Sequence, residues 1–408
     1  MSVYIKLAWR NIFRNKRRTF ITGTALAIGL AALMFLDGVF IGMADNMIGS
    51  ATASFTGEAQ IHARDFLQTQ EAERTVANAE AVFAGLKTED IIKDFTPRTL
   101  SPGMMTSAVG VHPVLLVGVR PETEKNVSQI DDAVVQGGFF SGDDDRNIVI
   151  GSKTAELLEV GLGDRVVVTV SQAGSGALSQ DLFRISGIFR LNIDEIDGGA
   201  VFIRLGQAQK MLGLNNAIHE IALKFKDRRV SQDESHPFWA RYSTPENEIL
   251  GWTKLFPQMK GVYEFAQFSL LILGVIMFAM VSLGIINTLF MSIYERVFEF
   301  GVLRAVGTRP AGIRRLVVLE AGALALLSVA LGIVLGFGAI IIVSKTGIDY
   351  RGMEWAGTTI REMIYPVMKL KQFLLYPACI LLFTLFVGLY PAAFAAKMSV
   401  SKAMKKTL

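Results

Sequence analysis

Four stretches of this chain stay apolar for longer than a soluble core helix requires: about 20–43, 265–293, 316–343 and 373–396. A helix of about 20 mostly apolar residues crosses a bilayer, so each stretch predicts one span. The texture between the first two is different. Short apolar runs at 112–120 (HPVLLVGVR), 146–152, 164–171, 182–190 and 199–205 are broken by turns such as Gly161-Leu162-Gly163-Asp164 and Gly198-Gly199, which is a strand pattern. Helical patterns at 72–86, 153–158 and 205–212 alternate with them. The expected fold class is membrane α-helical with four transmembrane helices, and a large α+β domain with a mixed sheet inserted between helices 1 and 2. The boundaries read as 1–18 for an interfacial helix, 19–44 for the first span, 45–261 for the inserted domain and 262–408 for the remaining spans.

The stretch 285–320, IINTLFMSIYERVFEFGVLRAVGTRPAGIRRLVVLE, organises the rest. Phe298, Val302 and Val306 recur every four residues, so a short helix at about 294–307 has one apolar face, with Glu295, Arg296, Glu299 and Arg304 as its polar positions. Gly307 followed by Pro310 stops that helix and restarts the next. A short helix between two spans has no core of its own. Its apolar face must rest on the membrane surface or in a groove on a partner, and periodicity does not choose between them.

Charge sets the topology. The chain is 51% hydrophobic and 19% charged with a mean hydropathy of +0.39, too apolar for an ordinary soluble enzyme of its length. Lys6, Arg10, Arg14, Lys16, Arg17 and Arg18 precede the first span with no acid among them. Arg296, Arg304, Arg309, Arg314 and Arg315 outnumber Glu295 and Glu299 between spans two and three, and Lys397, Lys402, Lys405 and Lys406 follow span four. All three segments fall on one side of a four-span topology, which the positive-inside rule makes cytoplasmic. Residues 46–294 carry 21 Lys and Arg against 29 Asp and Glu, so the inserted domain belongs outside. Ala51-Thr52-Ala53 resembles a signal-peptide cleavage site, but the apolar run before it is too long for a signal h-region. Lys6, Arg10 and Arg14 form one basic row, with Ile5, Trp9, Ile12 and Phe13 largely off it, as expected of a helix lying on anionic lipid.

The chemistry-bearing residues are scattered. The lone Cys379 lies in an apolar run, and His62, His112, His219 and His236 have no ligand spacing, so no metal site is expected. Asp143-Asp144-Asp145 lacks the remaining EF-hand positions and reads as a solvated turn. Gly151-Ser152-Lys153-Thr154 ends like a phosphate loop, yet Asn147 and Ser152 occupy the places of its two glycines, so no ATP site is expected on this chain. Gly23, Ala27 and Ala31, Gly38 and Gly42, and Gly332 and Gly336 recur at four-residue spacing, which lets helices approach closely in lipid. Asp37 and Asn287 are costly in hydrocarbon and are expected to face the bundle interior.

These residues carry a resemblance. ERVFEFGVLRAVGTRPAGIRRLVVLEA is similar to the signature of the FtsX-like/MacB-like permease family through Glu295, Arg296, Glu299, Leu303, Arg304, Ala305, Gly307 and Glu320. LAWRNIFRNKRRTFIT resembles its entry segment. LYPAAFAAKMSVSKAM resembles its close through Tyr390, Pro391, Ala392, Ala395 and Ala396, and VIGSKTAELLEVGLGDRVVV with FRISGIFR is similar to its extracytoplasmic domain. The resemblance implies that residues 262–408 form the FtsX-like permease domain and that the short helix is a coupling helix seated on a cytoplasmic ABC ATPase. Glu295, Arg296, Glu299, Leu303, Arg304 and Gly307 would be the coupling residues. It further implies two paired permease subunits, alike or different, a bacterial inner-membrane location with both termini cytoplasmic, and an outer domain with a membrane-proximal part (45–118 and 214–261) and a β-rich part (119–213). The permease itself would be no enzyme, with ATP and Mg bound by the partner ATPase, which is expected on a separate chain because this one starts almost at its first span.

Within the family the length and span count look most like the Lol-type lipoprotein-releasing subunits, which would take an acylated lipoprotein from the outer leaflet and pass it to a periplasmic carrier. Efflux of amphipathic drugs, peptides or lipids, and a regulatory relay to a cell-wall hydrolase, are the alternatives. The segment 172–181 (QAGSGALSQD) is short where the carrier-binding Lol subunit has a protruding hook, which leaves a carrier role open. Acyl chains leaving a bilayer lose about 0.8 kcal/mol per CH₂, so release needs an apolar shelter. Phe40, Met43 and Met47 at the outer end of span one, and Phe265, Phe268 and Ile272 of span two, are the candidates for it.

Overall fold

A computed structural model of the chain describes residues 2–140, 144–350, 354–355, 358–359 and 363–398. Asp143, Lys402, Lys405 and Lys406 lie outside them. The chain divides into a helical unit and a unit formed by residues 46–262 with the short segment 351–361.

The helical unit is built from α1 (Ser2–Ile12), α2 (Lys16–Ala51), α3 (Pro257–Glu295), α4 (Val297–Ala305), α5 (Pro310–Thr346) and α6 (Leu370–Ala396). Four of these, α2, α3, α5 and α6, are long and apolar enough to cross a membrane. Small residues set how closely they pack. A Cβ on Gly332 of α5 would stand 2.9 Å from the Ala27 carbonyl oxygen of α2, and one on Gly336 would stand 3.3 Å from the Ala31 Cα. Backbone therefore meets backbone along the small-residue stripe seen in the sequence. Toward the basic end, Ile285, Leu289 and Ile293 of α3 share a buried cluster with Leu316, Val317 and Ala321 of α5 and Ala392 and Ala395 of α6. Pro377 and Pro391 lie inside α6 without ending it.

The inserted domain holds one mixed sheet of ten strands: β1 (Ala59–Ala63), β2 (Ile92–Thr106), β3 (Val111–Val119), β4 (Val134–Gly137), β5 (Asn147–Gly151), β6 (Arg165–Ser171), β7 (Leu178–Phe189), β8 (Ala200–Arg204), β9 (Glu220–Phe225) and β10 (Asn247–Gly251). The order is β10-β1-β9-β2-β3-β8-β5-β7-β4, with β6 pairing β2 and β7. The β3–β8 and β5–β7 pairs are parallel and the others antiparallel. β2 is the long strand that ties the sheet together. It pairs with β9 over Ile92–Arg98 and with β3 over Arg98–Thr106. One core gathers Ile61, Ile221, Leu223, Phe225, Phe238 and Ile249, and another gathers Leu116, Ile148, Ile150, Val168, Phe183 and Val201.

One helix starts later than its sequence pattern predicts. The pattern at 72–86 gives a helix only over Ala79–Thr88, because Val76 donates its N–H to the Ile218 carbonyl and Ala77 donates to Asn247 Oδ1. Those bonds keep the approach extended, and Asn78 turns the chain at φ 51°.

Candidate coupling site at the basic end of the bundle

The site begins where α3 stops. Glu295 is its last residue, and Arg296 leaves the helical region at φ −115°, ψ 16° before α4 starts at Val297. At the other end Gly307 has φ +99°, a conformation open to glycine at little cost, with nothing within 4 Å of where its Cβ would be. Conformation, then, rather than space calls for glycine there. Pro310 opens α5 at its first turn, where a missing N–H costs nothing.

The break at Arg296 turns its side chain inward. Arg296 Nη1 donates to Glu320 Oε1 at 2.6 Å, Nε donates to Glu299 Oε2 at 2.9 Å, and the guanidinium lies 5.0 Å above the Phe300 ring. Asn11 Nδ2 donates to the same Glu320 oxygen at 2.5 Å. Arg14 reaches Glu299 Oε1 at 2.5 Å, and Arg18 reaches Glu295 Oε2 at 3.1 Å. Three arginines thus meet three glutamates across the turn between α1 and α2, the start of α2, the end of α3, α4 and α5. Burial opposes the charge on Arg296, but Glu320 and Glu299 outweigh it and hold its pKa above the usual arginine value. Burial would raise Glu299, yet the bonds from Arg296 and Arg14 hold it below the usual carboxylate range. The Arg14 and Arg18 pairs are open to water and contribute little each; the pair that matters is Arg296–Glu320, with 8% of either side chain exposed.

This knot fixes one side of α4 and leaves the other bare. Phe300 is buried at 1% in a cluster with Ile293, Ile313 and Leu316. Phe298, Val302, Leu303 and Val306 are exposed, with Val306 at 82%. The apolar stripe read from the sequence therefore points away from the bundle, beside Arg304, Arg309, Arg314 and Arg315, which make no ion pair among the described residues. Sequence reasoning named Glu295, Arg296, Glu299, Leu303, Arg304 and Gly307; the structure gathers the first three in the knot, and adds Asn11, Arg14, Arg18 and Glu320. The four-residue spacing of Arg14 and Arg18 was the available signal for two of them.

The other sequence candidates are spread out. Phe265, Phe268 and Ile272 share one exposed face of α3, Phe40 and Met43 are half-buried on α2, and Met47 is buried. Lys153 of the phosphate-loop-like run bonds Asp194 Oδ2 at 2.9 Å. Asp144 accepts from the Arg146 N–H, as a turn residue does. The segment 172–177 is a tight turn between β6 and β7, with Gly174 donating its N–H to Glu73 Oε1 at 2.6 Å.

Comparison with known proteins matches both the helices and the inserted domain. Residues 271–400 match the FtsX-like permease C-terminal family, and residues 19–233 match the MacB-like periplasmic core domain. The chain is 24% identical over 408 residues to the lipoprotein-releasing system transmembrane protein LolE of Haemophilus influenzae, covering 91% of this chain and 93% of that protein. It is 21% identical over 309 residues to LolC, of the same named system, from Xylella fastidiosa, covering 72% and 73%. The solved periplasmic region of MacB from Actinobacillus actinomycetemcomitans superposes at a TM-score of 0.35 and 13% identity, over 50% of this chain and 94% of that one. With its core-domain match covering more than half of the residues and the permease match the helices after it, the chain belongs to the FtsX-like/MacB-like family of ABC transporter permeases, membrane proteins with a periplasmic domain.

Proposed function

We propose that this permease converts ATP hydrolysis by a cytoplasmic ABC ATPase into motion of its periplasmic domain, and that its work is release of lipoproteins from the outer leaflet of the inner membrane. The observation that carries the first half is α4. One face is locked to the bundle through Arg296, Glu299 and Phe300, and the other presents Phe298, Val302, Leu303 and Val306. A helix held on one side and bare and apolar on the other transmits a push from whatever seats against it. In this reading Leu303, Arg304 and Gly307 meet or shape the ATPase contact, and Glu295, Arg296 and Glu299 pass the load to the spans. ATP and Mg belong to that partner. The basic end of the bundle, with both termini, is cytoplasmic.

The second half is supported by the relatives named for lipoprotein release, which align over most of their length. Phe40, Met43, Met47, Phe265, Phe268 and Ile272 would line the acyl shelter when two permease subunits pair, so the exposed face of α3 meets either the second subunit or the substrate. A periplasmic carrier would receive the product.

Leu303→Asp tests the coupling. The variant, purified with its ATPase, is expected to lose stimulation of ATP hydrolysis by an acylated lipoprotein while keeping the wild-type melting temperature. Wild-type ATPase yield and turnover would remove α4 from the coupling path. Release of a triacylated lipoprotein from proteoliposomes, absent when the substrate lacks its acyl chains, tests the cargo separately.

A further inference from the structure

A groove of about 520 Å³ opens between α2 and α5 near the basic end of the bundle. We propose that it holds an acyl chain of an anionic phospholipid, whose phosphate is bound by Lys16 and Arg17 at the mouth. This goes beyond the coupling and release activities, and neither is needed for it.

The walls are set for an apolar guest. Phe20 and Gly23 of α2 face Leu324, Leu327 and Leu331 of α5. The hydroxyls at the wall are already engaged: Thr19 donates to the Ile12 carbonyl at 2.6 Å, Thr24 to Phe20 at 2.7 Å and Ser328 to Leu324 at 2.8 Å. None of the three has its proton left for a polar ligand. The volume lies within the roughly 300–1,000 Å³ of sites that take small molecules.

The mouth is set for an anion. Residues 14–18 hold four cations, and the structure divides them in pairs. Arg14 and Arg18 are committed to Glu299 and Glu295. Lys16 and Arg17 line the groove, are exposed, and join no ion pair among the described residues. They stand where the apolar span begins, which is where the polar face of a bilayer meets its hydrocarbon. A free phosphate or an acidic peptide would satisfy the cations and leave the slot empty; an apolar helix from a second subunit would fill the slot and leave the cations unmatched. An anionic phospholipid satisfies both.

Gly23 keeps the slot open. A Cβ there would stand 3.4 Å from Ser328 Oγ and 3.8 Å from Leu324 Cδ1, in ordinary contact, so a larger side chain fits the backbone but fills the groove. The full-length permease is reconstituted in nanodiscs of phosphatidylcholine with a small fraction of phosphatidylglycerol, and the lipid kept through detergent extraction is measured by native mass spectrometry. Wild type is expected to retain phosphatidylglycerol. At about fivefold per cation near an anionic surface, Lys16→Glu with Arg17→Glu should cut the preference by more than roughly thirtyfold. Gly23→Leu should cut retention of either lipid at an unchanged melting temperature. Equal retention of the two lipids by wild type, or unchanged retention in Gly23→Leu, overturns the proposal. So does a shift from dimer to monomer on Gly23→Leu with lipid retained, since the groove would then seat a second copy.

Discussion

Arg296, at the break between α3 and α4, and Glu320 of α5 hold each other at 2.6 Å, each with 8% of its side chain exposed. Removing one partner of such a pair strands the other charge, at a cost of about 3–5 kcal/mol, whereas removing both costs far less. Arg296→Met, which leaves Glu320 with the neutral Asn11 amide in place of a counter-charge, should therefore lower the melting temperature of the purified permease more than the double change Arg296→Met with Glu320→Leu. Differential scanning fluorimetry in one detergent makes the comparison. If the single and double variants melt together, the pair is not the fastening point of the knot.

The contact of α2 with α5 is close enough to exclude a side chain at one glycine and not at another. A side chain at Gly332 would push into the Ala27 carbonyl, but Gly338 on the same helix has nothing within 4 Å of its Cβ position. Overpacking of a filled contact costs about 1–3 kcal/mol. Gly332→Val is expected to destabilise the permease by that amount and to lower its yield in membranes, and Gly338→Val to leave both near wild type. Equal melting of the two variants would show that the small-residue stripe does not set this helix contact.

How far the sequence revealed this molecule depends on what each pattern encodes. Four long apolar runs leave little choice, and all four appear as helices. Strands β3, β5, β6, β7 and β8 showed as apolar runs. β1, β2, β9 and β10 escaped because buried polar residues interrupt or open them: His62 within β1, Thr96, Arg98, Thr99 and Ser101 within β2, Glu220 at the start of β9 and Asn247 at the start of β10. Their partners lie far away in sequence, so no local window signals that they are satisfied. At the coupling site the residue types were legible and the facing was not. Residues 294–307 read as one helix; the break at Arg296 sets the angle at which α4 leaves α3, and with it whether Phe298 or Phe300 faces inward.

Arg98 is the largest buried cation in the inserted domain, bonded to Glu124 and Glu220 at 2.6 Å each and to the Phe55 carbonyl at 2.6 Å. Both carboxylates are almost fully buried, so Arg98→Met leaves two acids facing each other without a counter-charge. A loss of about 3–5 kcal/mol is expected in urea unfolding followed by tryptophan fluorescence. Adding Glu124→Gln and Glu220→Gln to Arg98→Met should recover part of it. No recovery would mean that Arg98 acts through packing against Phe55, over which its guanidinium lies at 4.2 Å, and not through charge.

His62 gives the inserted domain an acid limit. Burial drives its pKa down to about 3, and its Nε2 pairs with Gln60 Oε1 at 2.9 Å, which fits a neutral ring donating one hydrogen bond. The unfolded chain takes up a proton near pH 6.5 and the folded one only near 3, so His62 adds stability above about pH 6.5 that is lost as the pH falls toward 3. Glu220, pushed by burial up to about 6, works in the opposite sense between pH 4.5 and 6, because its folded form binds the proton more readily. Wild type alone therefore does not isolate the histidine; the difference between wild type and His62→Gln does. The introduced amide can keep the bond to Gln60 and does not titrate. Between pH 7 and pH 4.5 that difference should move by about 2.7 kcal/mol in favour of the variant, two pH units at about 1.4 kcal/mol each. A pH-independent difference in urea unfolding would mean that His62 is protonated in the folded domain, and its burial in a neutral state would be wrong.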